Sequence, residues 1–389
     1  YFPIGFAPII GEMPLPWSST REYFDAVDAA HPACNVAAYV PHGVLRFNAM
    51  GLERREPADA EMDVMKAHLR EGMEAGAIGM STGLVYPPGT FSRTPELIEL
   101  AKVVAPYGGI YTSHIRNEGD GLLEAVDEAL TIGEQSGCGV QLSHHKAAGP
   151  GCYGDTKKSL PHIDAARARG IDVTMDVYPY VASSSSLAAM YRLGRGAAFE
   201  VVPAIVASVK HNKEKYEGRY ISDIASDLDL PIREAIEKVL RDEENAASVI
   251  MFIMDEDDVR RVVADPHAMA GSDGLPTEGK PHPRLYGTMA RILQAYVREQ
   301  PVLTLQEAVR KMTSLPAAKH RIAERGVLRE GWHADVVVFD PATIADVATY
   351  DEPRQYPAGI DYVIVNGEIA AAHGAQTPAR AGRMLRRGV

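Results

Sequence analysis

Ser81, His114, His144 and Tyr178 each close a short apolar, β-rich run, and they stand 33, 30 and 34 residues apart. This regular spacing constrains the fold more than any other feature of the chain. Strand-like runs cover residues 35–40, 77–81, 110–114, 140–144, 173–178 and 269–273, and helical patterns fill gaps between them at 96–104, 121–136 and 160–169. Strand–helix alternation implies a parallel sheet, because parallel neighbours need a long crossover. The steady repeat favours a (β/α)8 barrel over an open doubly wound sheet. It also places His114, His144 and Asp273 at the C-terminal ends of strands, where barrel enzymes carry their chemistry.

The pattern changes toward the C-terminus. Residues 334–340 and 362–367 read as strands, the second closing in an Asn366-Gly367 hairpin turn. The predicted organisation is a barrel over residues 1–320, with a charged, helical insertion at about 200–260, and a β-subdomain and tail over 321–389. Ser183 to Ser186 reads only as a serine run. The basic tail, with Arg380, Arg383, Arg386 and Arg387, reads as a frayed, solvated end.

With 46% hydrophobic residues, the 389-residue chain can bury a large core. A net charge of −12 argues against a nucleic-acid surface, which needs clustered Lys and Arg to release counterions. No apolar stretch reaches the length of a membrane helix. Cys34, Cys138 and Cys152 are an odd number without metal-type spacing, which fits free thiols in a reducing cytoplasm.

Two histidines at the ends of successive parallel strands, in Thr112-Ser113-His114 and Leu142-Ser143-His144-His145-Lys146, can converge on one zinc ion. One strand-end histidine alone is more often structural. Asp273, in Gly271-Ser272-Asp273-Gly274, suits an acid/base beside a metal-activated water, although an isolated aspartate there could be a helix cap. Arg284 offers a bidentate carboxylate donor. Two other motifs compete. Gly149-Pro150-Gly151-Cys152-Tyr153-Gly154 matches a dinucleotide-binding G-x-G-x-x-G, but the next helix reads as starting several residues later, away from a pyrophosphate. Gly79-Met80-Ser81-Thr82-Gly83 matches a hydrolase nucleophile elbow, yet a Pro87-Pro88-Gly89 loop follows instead of a helix.

Taken together, the motifs resemble the N-acyl-D-amino-acid deacylases, or D-aminoacylases, of the amidohydrolase superfamily. The resemblance spans nearly the whole chain. It is carried by Asn35-Val36-Ala37-Ala38 with Pro41-His42, Ser81-Thr82-Gly83-Leu84-Val85-Tyr86-Pro87-Pro88-Gly89, the His114 and His144 segments, Asp176-Val177-Tyr178-Pro179-Tyr180, Gly271-Ser272-Asp273-Gly274 and residues 331–340. It implies a distorted (β/α)8 barrel beside a small β-sandwich, with zinc on His114 and His144 and Asp273 as the catalytic acid/base. It further implies that Lys146, Tyr178 and Arg284, with Ser184 nearby, hold the carboxylate of an N-acyl amino acid. The expected reaction is hydrolysis of N-acyl-D-amino acids, with neither nucleic acid nor membrane as a partner.

One departure bears on activity. The family's His-x-His on the first strand and its cysteine ligand on the second have no counterpart here, and Phe2 stands about where that cysteine should be. The barrel is therefore expected to lack its first strands, and the alternatives are a truncated, inactive family member or a cyclic-amide hydrolase of the same superfamily.

Overall fold

The computed structural model describes residues 16–192 and 195–387, so Phe2 and the opening segment lie outside the described residues. Six parallel strands form one sheet in the order β1 (Val40–Pro41), β2 (Gly79–Gly83), β3 (Ile110–His114), β4 (Gly139–Leu142), β5 (Val173–Val177) and, after an excursion, β9 (Ala268–Ala270). This parallel sheet forms the wall of the expected barrel. The helices between strands follow from amphipathic spacing. In Leu122–Ser136, Leu122, Ala125, Val126, Ala129, Leu130 and Gly133 are buried on one face, and Gly137, at φ +76°, ends the helix with its N–H on the Gly133 carbonyl.

Register sets the layout of the site. Gly83 lies beside His114, and Ser113 beside Leu142. β4 stops two residues before His144 and β9 three before Asp273, shorter than the runs in the sequence suggest. The reason is local: His144 at φ +39° and Asp273 at φ +47° take left-handed conformations that cannot continue a ladder. Residues 35–40 likewise form only a bridge at Val36 and the two-residue β1. At Gly79 the neighbouring strand approaches closely, and a Cβ there would lie 2.0 Å from the Ile110 carbonyl oxygen. Gly79→Ala is expected to destabilise the protein by about 1–3 kcal/mol through overpacking. An unchanged midpoint in urea unfolding would refute that reading.

Between β5 and β9 the chain builds a three-stranded antiparallel sheet, with β8 (Ser248–Met251) between β6 (Ser183–Ser186) and β7 (Ala204–Ser208). The serine run is thus a strand, paired from Ser183↔Met251 to Ser186↔Ser248, because a partner strand overrides its weak β propensity. A C-terminal antiparallel sheet follows, comprising β10 (Val336–Phe339), β11 (Ile360–Val365), β12 (Glu368–Ala372) and β13 (Ala375–Gln376). Asn366 and Gly367, at φ +49° and +88°, form the expected hairpin turn between β11 and β12.

The basic tail is docked instead of frayed. Leu385 N–H donates to the Val36 carbonyl (2.6 Å), Arg387 N–H to that of Gly76 (2.8 Å), and Arg386 pairs with Asp25 (2.7 Å) and Asp28 (3.0 Å). Neither competing motif has its required geometry. The helix after Gly154 begins at Thr156, nearer than expected, but Asp258 accepts from Gly154 N–H (2.5 Å) and from the Thr156 hydroxyl, so a protein carboxylate holds the place of a phosphate. Ser81 lies within β2, paired with Pro41 and Thr112, and not on a strand-to-helix turn.

Candidate active site

The ends of β3, β4, β5 and β9 bring the predicted residues to one cavity of about 400 Å³, lined by His114, Glu118, His144, Lys146, Tyr178 and Asp273 among others. The rings of His114 and His144 meet edge to face with centroids 4.5 Å apart. His114 Nε2 is buried without a hydrogen-bond partner, and its nearest carboxylate oxygen in the site, Glu118 Oε2, is 3.8 Å away. Burial pushes the His114 pKa down to about 3 against the pull of Glu118, so the imidazole stays neutral and able to donate a lone pair to a metal.

Glu118 occurs in the His114 segment of the sequence but carries no assigned role there; its position four residues after His114 is the only signal for it. In the structure Glu118 Oε1, Lys146 Nζ and His144 Nδ1 form a triangle with sides of 2.6, 2.7 and 2.9 Å. Burial alone would raise the Glu118 pKa, but Lys146, His114 and His144 hold it well below the usual carboxylate range. Donor atoms of His114, Glu118 and His144 all lie within 4.8 Å of one another, a spacing suited to one ion.

The other wall carries the carboxylate chemistry. Tyr178 is buried, with Arg284 Cζ 4.4 Å and Lys146 Nζ 5.5 Å from its ring centroid, and its hydroxyl has no hydrogen-bond partner. Arg284 opens the helix Arg284–Arg291 and is only 1% exposed. Its Nη2 holds Asp273 Oδ2 at 2.8 Å, while Nε and Nη1 are buried without partners. It sits behind Asp273 and Tyr178 and is not among the residues lining the cavity. Burial opposes ionisation of Asp273, but Arg284, His144, Lys146 and His114 keep its pKa below the usual value, so it is a carboxylate at neutral pH. Ser184 lines the cavity between Ser183 and Ser185, and Ser185 shares a 2.9 Å hydrogen bond with the Tyr86 hydroxyl.

His282 supports Arg284 from beneath. Its Nδ1 accepts the Arg284 backbone N–H (3.0 Å) and its Nε2 bonds the Ala182 carbonyl (3.0 Å), an arrangement that requires a neutral ring. Burial and then Arg284 depress its pKa well below 6.5. The unfolded chain therefore binds this proton first, and stability is lost as pH falls below about 6.5, by up to about 1.4 kcal/mol per pH unit. His282→Leu is expected to lower stability at pH 7.5, yet to make its decline between pH 6.5 and 5 shallower by about one proton. Urea unfolding over a pH series tests this, and an unchanged slope would mean that other groups govern the acid limb.

Comparison with known proteins finds relatives over nearly the whole chain. A model of the Amidohydrolase family matches residues 152–371. N-acyl-D-glutamate deacylase of Alcaligenes xylosoxydans xylosoxydans is 42% identical over 97% of this chain and 75% of its own length, and D-aminoacylase of the same organism is 40% identical over 94% and 73%. The crystal structure of N-acyl-D-glutamate deacylase from Bordetella bronchiseptica, complexed with zinc and a phosphonate mimic of the tetrahedral intermediate, superposes with a TM-score of 0.90. It is 41% identical over 99% of this chain and 78% of that one. A D-hydantoinase from Thermus, at 13% identity and a TM-score of 0.58, shares the fold alone.

Proposed function

This chain belongs to the N-acyl-D-amino-acid deacylase family of amidohydrolases, hydrolases of linear amide C–N bonds, and from that premise we propose that it uses zinc to cleave N-acyl-D-amino acids into a carboxylate and a D-amino acid. The observation that carries the zinc assignment is the buried, unpartnered Nε2 of His114, set against His144 and Glu118. These residues fit the ion: two imidazoles and a nearby carboxylate oxygen are common zinc ligands. The Lys146 ammonium already lies between Glu118 and His144, evidence that this point favours positive charge. Zinc bound there would supply Lewis-acid polarisation of the amide carbonyl and a more acidic water.

The chain's own residues account for the remaining chemistry. Asp273, ionised at neutral pH, takes a proton from the attacking water and delivers it to the leaving nitrogen. Lys146 and Tyr178, which line the cavity, orient the amino-acid carboxylate, with Ser184 at its margin, and Arg284, packed on Tyr178 and paired with Asp273, holds that wall in place. Support comes from the Tyr178 hydroxyl on the cavity wall, since a buried donor without an acceptor is costly and a carboxylate offers several lone pairs. Hydantoins carry no free carboxylate for this wall to hold, so it gives no support to a hydantoinase. Nor does the site support an inactive chain. No helix of the described residues is long and apolar enough to cross a membrane, and the free thiols of Cys34, Cys138 and Cys152 support a cytoplasmic setting.

The test is hydrolysis of N-acetyl-D-methionine, N-acetyl-D-glutamate and their L-enantiomers by the purified protein, with zinc measured on the same sample. Turnover of the D-forms and about one zinc per chain are expected. Equal turnover of both enantiomers, or full activity in a metal-free sample, would overturn the proposal.

A further inference from the structure

Asp176 is not among the residues lining the cavity, yet it touches both turns that bear the chemistry. It lies on β5, which stands in the sheet between β4, the strand before His144, and β9, the strand before Asp273. Its Oδ1 accepts the His144 backbone N–H at 2.7 Å, its Oδ2 accepts Gln141 Nε2–H at 2.7 Å, and its main-chain carbonyl accepts the His145 N–H at 2.8 Å. The carboxylate thereby grips the residue at which the chain turns into a left-handed conformation, φ +39°, uncommon for a residue other than glycine.

The same carboxylate oxygen also meets Gly271. A Cβ at Gly271 would lie 2.9 Å from Asp176 Oδ1 and 3.2 Å from its Cβ and Cγ, so a larger residue would force the carboxylate or the turn to shift. Gly271 N–H also donates to the Val177 carbonyl at 3.1 Å. Asp273 follows two residues later at φ +47°. One carboxylate oxygen thus receives an amide from the His144 turn and is packed against the turn leading to Asp273. Among the described residues Asp176 forms no salt bridge, so its hydrogen-bonding capacity is directed to these neutral groups.

We propose that Asp176 is a positioning residue that sets the His144 turn and the Asp273 turn relative to each other, acting on the metal through His144 and on proton transfer through Asp273. What those two residues do rests on the function proposed above; the mechanical link does not. A purely structural carboxylate would, when removed, lower stability without a selective effect on the His144 amide or on metal affinity.

The experiment compares Asp176→Ala, Asp176→Asn and Gly271→Ala in the full chain, using amide hydrogen exchange, zinc affinity by chelator competition and kcat against KM. In Asp176→Ala the His144 amide should exchange about tenfold faster or more, and zinc affinity should fall by about 10–100-fold, the usual effect of losing a group that orients a ligand. kcat should fall with little change in KM. Asp176→Asn should restore all three, because its carbonyl oxygen still accepts from His144, while Gln141 can flip its amide and the Thr174 hydroxyl can rotate to match. Gly271→Ala should weaken zinc binding even though Asp176 is present, and adding it to Asp176→Ala should cost no further zinc affinity.

Unchanged His144 exchange in folded Asp176→Ala would overturn the proposal, as would additive zinc losses in the double variant or an Asn variant as impaired as Ala. If Asp176→Ala does not fold, Gly271→Ala and Asp176→Asn decide: wild-type exchange and zinc affinity in Gly271→Ala would overturn it. The exchange measurement needs neither metal nor substrate, so failure of the deacylase reading would leave it decisive.

Discussion

Asp273→Ala is expected to lower kcat on an N-acyl-D-amino acid by about 10²–10⁴-fold, the range for loss of a positioned acid/base, while zinc content stays at the wild-type level. The basis is a carboxylate kept ionised by Arg284, whose Nη2 lies 2.8 Å away, and by the nearby Lys146 ammonium. Removing it leaves Arg284 buried with a third unpartnered nitrogen, so a loss of stability is expected alongside the kinetic effect. Asp273→Asn controls for that, since its amide oxygen still accepts from Arg284 but cannot take up a proton at neutral pH. Both variants should be equally slow in single-turnover assays although only Ala is less stable. An Asn variant with near wild-type turnover would show that proton transfer is carried by another group.

His144→Ala and His114→Ala should each reduce retained zinc from about one per chain toward background, and activity with it. Few protein donors remain at the site once either imidazole is gone, and a catalytic zinc takes about three. The fold should survive, because Lys146 and Glu118 still pair at 2.6 Å when His144 is missing, leaving neither as an isolated buried charge. Metal analysis after desalting, with circular dichroism to verify folding, makes the measurement. Glu118→Gln separates two roles for the carboxylate. Zinc loss equal to that of the histidine variants would mark a ligand, whereas retained zinc with a higher substrate KM would mark the counter-ion that holds Lys146. Full zinc in both histidine variants would remove the metal site from this cavity.

Much of this was legible along the chain. Periodic apolar runs and strand-end spacing are local properties, so the sequence sufficed to predict β3 over its full length, the helices near 94–104 and 122–136, the Asn366-Gly367 turn, and His114, His144 and Asp273 at one end of the sheet. What local pattern could not supply was every contact set by the order of strands. Glu118 meets Lys146 across 28 residues, Asp176 meets the His144 amide across 32, Tyr86 meets Ser185 across 99, and Arg386 reaches Asp25 and Asp28 across about 360. The serine run became a strand because β8 lies beside it, and Gly271 has little room for a side chain because Asp176 lies against it. The sequence by itself determined which residue types stand at the ends of the strands, since backbone periodicity and turn chemistry act over a few residues. Only the tertiary structure decided which of them share a proton, a charge or a packed surface, because those partners are brought together by sheet register and burial.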